Sequence, residues 1–221
     1  MALYSEFIRL DISDAMRSEA RYHAGRRTRT IVRRFNAGSA PLSDMERNYV
    51  GALGEILVKS YFSQSIDLTD NYDTGHPDSG DIQINERIFD IKSEAVPMVF
   101  FKKLYEANLK PYEPYGCRVY TVSHLRHLKK YTGGVIFTAF PAPDDAKQER
   151  HDGELREEMV SYMHPGLILG YVKPEDFTAK TAQKYSPPHP VTGRRLRYNS
   201  ANIIFTLNEL RPVKELCTDE R

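Results

Sequence analysis

Cysteine is scarce in this chain. There are two in 221 residues, Cys117 and Cys217, and no C-x-x-C pair. That disfavours a zinc ribbon, a cysteine-held iron–sulfur cluster and a disulfide scaffold. Long apolar runs are also missing. Stretches such as residues 135–140 and 203–205 are strand-sized, far below the ~18 residues that a membrane-spanning helix needs. Glu6, Arg9 and Asp11 interrupt the region where a secretory signal requires a continuous apolar core. A cytoplasmic location with no membrane partner is therefore expected. No G-x-x-x-x-G-K-S/T run is present, so ATP is not an expected ligand. Net charge is lacking as well, since 31 basic residues against 30 acidic ones leave +1. Affinity for a nucleic acid must then come from segregated charge.

What is present describes a globular chain. Hydrophobic residues make up 40% and charged residues 28%, enough apolar material for a real core. The length suits one domain, or one domain with an appendage. Charge is segregated along it. Residues 17–34 carry Arg17, Arg21, Arg26, Arg27, Arg29, Arg33 and Arg34 against Glu19 alone, a local balance of +6. A second basic run holds Arg194, Arg195 and Arg197, near Lys184. Acid gathers at residues 144–158. Arginine's planar fork suits phosphate oxygens, although an arginine-rich helix face is often simply solvated.

Ser13 or Asp14 can cap a helix reaching residue 35, with Gly25 as a candidate break. Ser43 and Glu46 form a capping box that opens a second helix. Its apolar face collects Met45, Tyr49, Ala52, Leu53 and Ile56 at helical spacing. Gly51 and Gly54 each weaken that helix by roughly 1 kcal/mol relative to Ala, which is justified where something approaches the backbone closely. Residues 67–80 read as loop, and residues 81–84 and 87–93 as a hairpin around Asn85-Glu86. Further strands are expected at 118–122, 134–140, 167–172 and 201–207, with short helices near 97–108, 123–130 and 154–164. Residues 185–198 hold three prolines and three arginines and read as a long loop suited to partner contact. The interleaved order implies an α/β fold, a central mixed β-sheet flanked by helices. Residues 1–40 form a basic N-terminal helical segment ahead of an α/β domain at 41–221.

The hairpin concentrates chemistry on one face. With Asn85 and Glu86 as the two loop residues, Ile84 faces Arg87, Ile82 faces Phe89, and Asp81 faces Asp90. Lys92 points to the same side as Asp90, because strand side chains alternate. Ile82, Ile84, Phe89 and Ile91 collect on the other side and belong against a core. Directly opposed carboxylates repel and destabilise a strand pair. A divalent cation removes that repulsion, and hard oxygen ligands suit Mg²⁺ or Mn²⁺. A lysine beside them can orient a water or neutralise charge building on a phosphate. The plainer alternative is a surface Asp–Lys pair worth ~0.2–1 kcal/mol.

Glu55 within Gly51-Ala52-Leu53-Gly54-Glu55, then Gly80-Asp81, then Asp90-Ile91-Lys92 resembles the PD-(D/E)xK nuclease superfamily. Residues 43–93 carry the likeness. It implies a restriction-endonuclease-like core and a metal-dependent nuclease, with an endonuclease acting on DNA favoured. Asp81 and Asp90 then stand as the metal-binding acids, the Ile91 carbonyl completes the inner shell, Lys92 positions the attacking water, and Glu55 is the helix carboxylate that many members use near the metal. Mg²⁺ is the implied cofactor, with Mn²⁺ able to substitute. The literal Pro-Asp dipeptide is Pro77-Asp78, and the hairpin register is the reason to prefer Asp81. Arg26, Arg27, Arg29, Arg33 and Arg34, with Arg194, Arg195 and Arg197, are the expected phosphate contacts. Restriction, phage-related DNA processing and recombination or repair all stay open, as do RNA as substrate and a homodimer.

Other residues point less far. His124 and His127 lack further ligands for a metal site and read as solvated or facing a nucleic acid. Tyr105, Tyr112, Tyr115 and Tyr120 lie among basic residues, where packing at a core boundary is commoner than base stacking. The competing function is a non-catalytic nucleic-acid-binding protein on the same fold. A structural protein with incidental hairpin acids comes third and predicts no salt-dependent DNA affinity.

Overall fold

The computed structural model describes residues 6–30, 42–65, 68, 81–144, 154–183 and 201–218. Along the chain come β1 (Ile8–Leu10), α1 (Asp14–Thr30), α2 (Asp44–Tyr61), β2 (Ile82–Ile84), β3 (Arg87–Pro97), α3 (Met98–Tyr105), β4 (Cys117–Thr121), β5 (Gly134–Ala142), α4 (Glu157–Tyr162), β6 (Gly166–Val172) and β7 (Asn202–Thr206). The class is α/β, as the interleaved pattern implies. Five strands form one mixed sheet in the order β1-β6-β5-β3-β2, while β4 and β7 pair apart as a two-stranded ribbon. The single sheet expected from sequence is thus divided. The three-residue β1, too short to show a period, joins the sheet edge antiparallel to β6.

Apolar side chains cover both faces of the main sheet. One face meets α1 and α2 through Ile82, Ile84, Phe89, Ile91, Ile136 and Ile168. The other meets α3 and the β4–β7 ribbon through Val135, Phe137, Leu167, Leu169, Ile203 and Phe205. Burial on both sides explains why β5 and β6 read as continuous apolar runs rather than alternating ones. The basic N-terminal segment is built into this body. Ile8, Ile12, Met16, Ala20 and Ala24 belong to the same buried cluster as α2. Gly25 does not break α1. Among the described residues no helix is long and apolar enough to cross a membrane.

The capping box at α2 forms as expected. Glu46 N–H donates to Ser43 Oγ at 3.1 Å, and Ser43 N–H donates to Glu46 Oε2 at 2.9 Å. The two glycines of α2 differ sharply. A Cβ at Gly51 would sit 3.7 Å from Arg27 Nη1, an ordinary contact. A Cβ at Gly54 would lie 1.8 Å from Ser93 Oγ and 2.9 Å from Ser93 Cβ. Gly54 is therefore the point where α2 rests on β3. Gly54→Ala is expected to destabilise by about 2 kcal/mol, because overpacking outweighs the helix-propensity gain. Gly51→Ala should be neutral or stabilising by up to about 1 kcal/mol. Urea denaturation of the two variants tests the contrast, and adding Ser93→Gly should recover only part of the Gly54→Ala loss, because Thr138 Oγ1 would still lie 2.7 Å from the new Cβ.

Candidate active site

The hairpin adopts the register read from sequence. Ile82 pairs with Phe89, Gln83 with Ile88 and Ile84 with Arg87. Asn85 and Glu86 both take positive φ, 47° and 62°, the conformation of the tight turn whose twist matches antiparallel strands. The ladder ends at Ile82, and Asp81 lies just before it, its N–H donating to the Phe89 carbonyl at 3.1 Å. The Asp81 carboxylate bends toward β3, where Oδ2 accepts the Ile91 N–H at 2.5 Å. Asp90 is 3% exposed. Its Oδ1 accepts a hydrogen bond from Lys92 Nζ at 2.7 Å. Its Oδ2 is buried with no hydrogen-bond partner among the described residues. Ile82, Ile84, Phe89 and Ile91 are all buried on the opposite side, so the core anchors the strands that present the acids.

That acidic face is covered. The β4 strand crosses it and lays Arg118 and Tyr120 against it. These two point the same way because they are two residues apart on a strand. Arg118, 1% exposed, pairs with Glu94 at 2.5 Å. Glu94 follows Lys92 on the same face of β3, which makes it a further carboxylate in the row. Burial pushes the Glu94 carboxyl up, and Arg118 opposes that shift. Tyr120 lies over the Asp90–Lys92 pair, with its ring centroid 5.8 Å from Lys92 Nζ. Its hydroxyl is buried and set against Asp90. Burial raises the phenol well above its usual range, with Asp90 the next cause and Asp81 a smaller one. Both acids therefore bear on this one hydroxyl. His124 meets the Tyr120 ring edge-on at 6.0 Å. Its surface stays exposed, but partial burial of the ring first and then Lys92 lower its pKa.

Sequence reasoning missed Glu94 and placed Tyr120 only at a core boundary. A signal existed for Glu94, since Asp90, Lys92 and Glu94 alternate along one strand. No local signal says that β4 lies over β3.

Glu55 stands elsewhere. It is buried on α2, and Arg27 grips it with two parallel hydrogen bonds of 2.6 and 2.7 Å. Helix α2 lies on the face that Ser93 points to, opposite the face of Asp90 and Lys92. Among the described residues no three His, Cys, Asp or Glu side chains converge to hold a metal ion. Glu55 thus does not join Asp81 and Asp90 in a ready-made cluster, and Arg27 is turned inward rather than toward solvent. Other arginines of α1 also have internal partners. Arg17 pairs with Asp14 at 2.9 Å and Arg21 with Glu157 at 2.6 Å. Arg26 donates to Tyr22 Oη at 3.4 Å and Arg29 to the Gly25 carbonyl at 3.1 Å. Arg33, Arg34, Arg194, Arg195 and Arg197 lie outside the described residues, as do Pro77, Asp78 and Gly80.

The donor set fits a hard divalent cation. A buried carboxylate short of well-formed hydrogen bonds is costly, and either the Tyr120 hydroxyl beside it or a cation ligand can satisfy it. Asp90 and Asp81, which both act on the Tyr120 hydroxyl, would supply the two carboxylates that such an ion commonly takes, with waters completing its shell. Compared with known proteins, the chain matches no family model, no curated protein and no solved structure.

Proposed function

We propose that this chain is a metal-dependent nuclease that hydrolyses DNA phosphodiester bonds, acting as an endonuclease on a restriction-endonuclease-like core. The observation that carries the reading is Asp90, buried on a core-anchored strand with one oxygen on Lys92 and the Tyr120 hydroxyl against the same carboxylate. The sheet order supports it. Around β3 the pairings run antiparallel to β2 and parallel to β5, and β5 then pairs antiparallel with β6. This is a mixed sheet flanked by helices, as the resemblance implies.

Asp81 and Asp90, with the Ile91 carbonyl, would hold Mg²⁺ or Mn²⁺. When bound, such an ion polarises the phosphoryl oxygen and lowers the pKa of a water. Lys92 is fixed by Asp90 yet keeps further N–H donors, and its side chain is 34% exposed. It can therefore hold a water or a phosphate oxygen at the edge of the site. Tyr120 excludes solvent from the Asp90 carboxylate, which strengthens every charge interaction there. Hydrolysis forms a bond from the water oxygen to phosphorus and breaks the bond to the departing sugar oxygen.

Supercoiled plasmid incubated with Mg²⁺, Mn²⁺ or chelator is the direct test. Nicking or linearisation with metal and none with chelator is expected. Salt-dependent DNA binding without cleavage on any substrate, including branched and single-stranded DNA, would favour the non-catalytic binder. That second reading needs no metal.

A further inference from the structure

Between β4 and β5 the chain runs as a 3₁₀ helix from Val122 to Lys130. Nine residues is long for this helix, which rarely exceeds three or four. With three residues per turn its side chains stack in three straight rows. Val122, Leu125 and Leu128 make an apolar row, and the two leucines pack on the core under the β4–β7 ribbon. The second row is His124, His127 and Lys130, and the third is Ser123, Arg126 and Lys129. No acid interrupts either row. Arg126 Nε donates to His127 Nε2 at 2.9 Å and ties the two rows together. His124, Arg126, Lys129 and Lys130 are all exposed.

The helix begins beside the candidate site. Tyr120, the residue over Lys92, also touches the His124 ring. We propose that this 3₁₀ helix is a rail for one phosphodiester backbone, with Arg126, Lys129 and Lys130 on its phosphates and His124 at the end nearest Asp90 and Lys92. The proposal rests on the nuclease reading and says how that site is fed. At a rise of ~2.0 Å per residue the rail is ~18 Å long. A duplex strand offers a phosphate about every 3.4 Å of axis, so about five pass along the helix and about two or three face the ~8 Å from Arg126 to Lys130. A protein partner fits less well. Its binding energy would come mainly from buried aromatic or apolar anchors, and the two outward rows hold no large apolar side chain.

The experiment titrates a labelled random-sequence duplex with wild type and with Arg126→Ala/Lys129→Ala/Lys130→Ala, at several salt concentrations with chelator present. The variant should bind about tenfold more weakly or worse, and its log K against log salt should be shallower by roughly two to three. A charge-keeping Arg126→Lys/Lys129→Arg/Lys130→Arg variant should retain both affinity and slope. If the alanine variant melts early, Lys129→Ala/Lys130→Ala replaces it, with a slope change of about two. Unchanged affinity and slope in a protein that binds and cuts would overturn the rail and leave the site standing. Loss of slope in a protein that binds but never cuts would keep the rail and remove the nuclease. No DNA affinity in wild type would overturn both.

Discussion

Asp90→Asn should lower metal-dependent cleavage by about a thousandfold or more while leaving the fold at least as stable as wild type. The two halves of this result have one cause. Asp90 places a carboxylate in a site that is 3% exposed. Burying an ion costs several kcal/mol before any partner repays it. Its partner Lys92 is a third exposed, and pairs that reach solvent return little. Asparagine keeps the shape, lets its oxygen accept from Lys92, and offers an N–H to the buried Tyr120 hydroxyl. The expected stability change is zero to about +1 kcal/mol, read by urea denaturation. Wild type should also gain melting temperature with added Mg²⁺ or Mn²⁺, since a ligand of the native state stabilises by mass action. Asp90→Asn should not. An incidental surface pair predicts no metal response and no activity to lose.

The hairpin was legible because its physics is local. A two-residue turn fixes the register, and alternation then decides every face. From Ile82, Ile84, Phe89 and Ile91 the apolar side is plain, and Asp81, Asp90 and Lys92 follow. The capping box of α2 was legible for the same reason. What covers β3 was not. The alternation in Cys117-Arg118-Val119-Tyr120-Thr121 shows that Arg118 and Tyr120 share a side, but strand partners are chosen over long sequence distances. Here β4 pairs with β7, more than eighty residues later. Arg27 is an intermediate case. As one of seven arginines it reads as part of a solvated run. It also extends the Met16–Ala20–Ala24 stripe at helical spacing, and small residues on a stripe mark where two helices come close. A cation on that stripe needs a buried anion, and Glu55 on the facing helix supplies it.

That pair yields the second large effect. Arg27→Leu should destabilise by about 3–5 kcal/mol, because it leaves the Glu55 carboxylate buried without its guanidinium. The two side chains are only 13% and 8% exposed, so solvent screening does little to soften the loss. Glu55→Leu should cost a similar amount for the mirror reason. The double variant Arg27→Leu/Glu55→Leu removes both charges at once, and apolar replacement of a buried pair is often neutral or stabilising. It should therefore recover most of the loss, giving a coupling of about 3 kcal/mol or more in a double-mutant cycle. Independent costs for the two single changes would show that the pair is not what holds α1 to α2. The recovered double variant also isolates the role of Glu55. With the fold restored, cleavage at the wild-type rate makes Glu55 a structural anion that docks the basic helix. Lost cleavage on an equally stable fold gives Arg27 or Glu55 a part in cleavage beyond docking the helix.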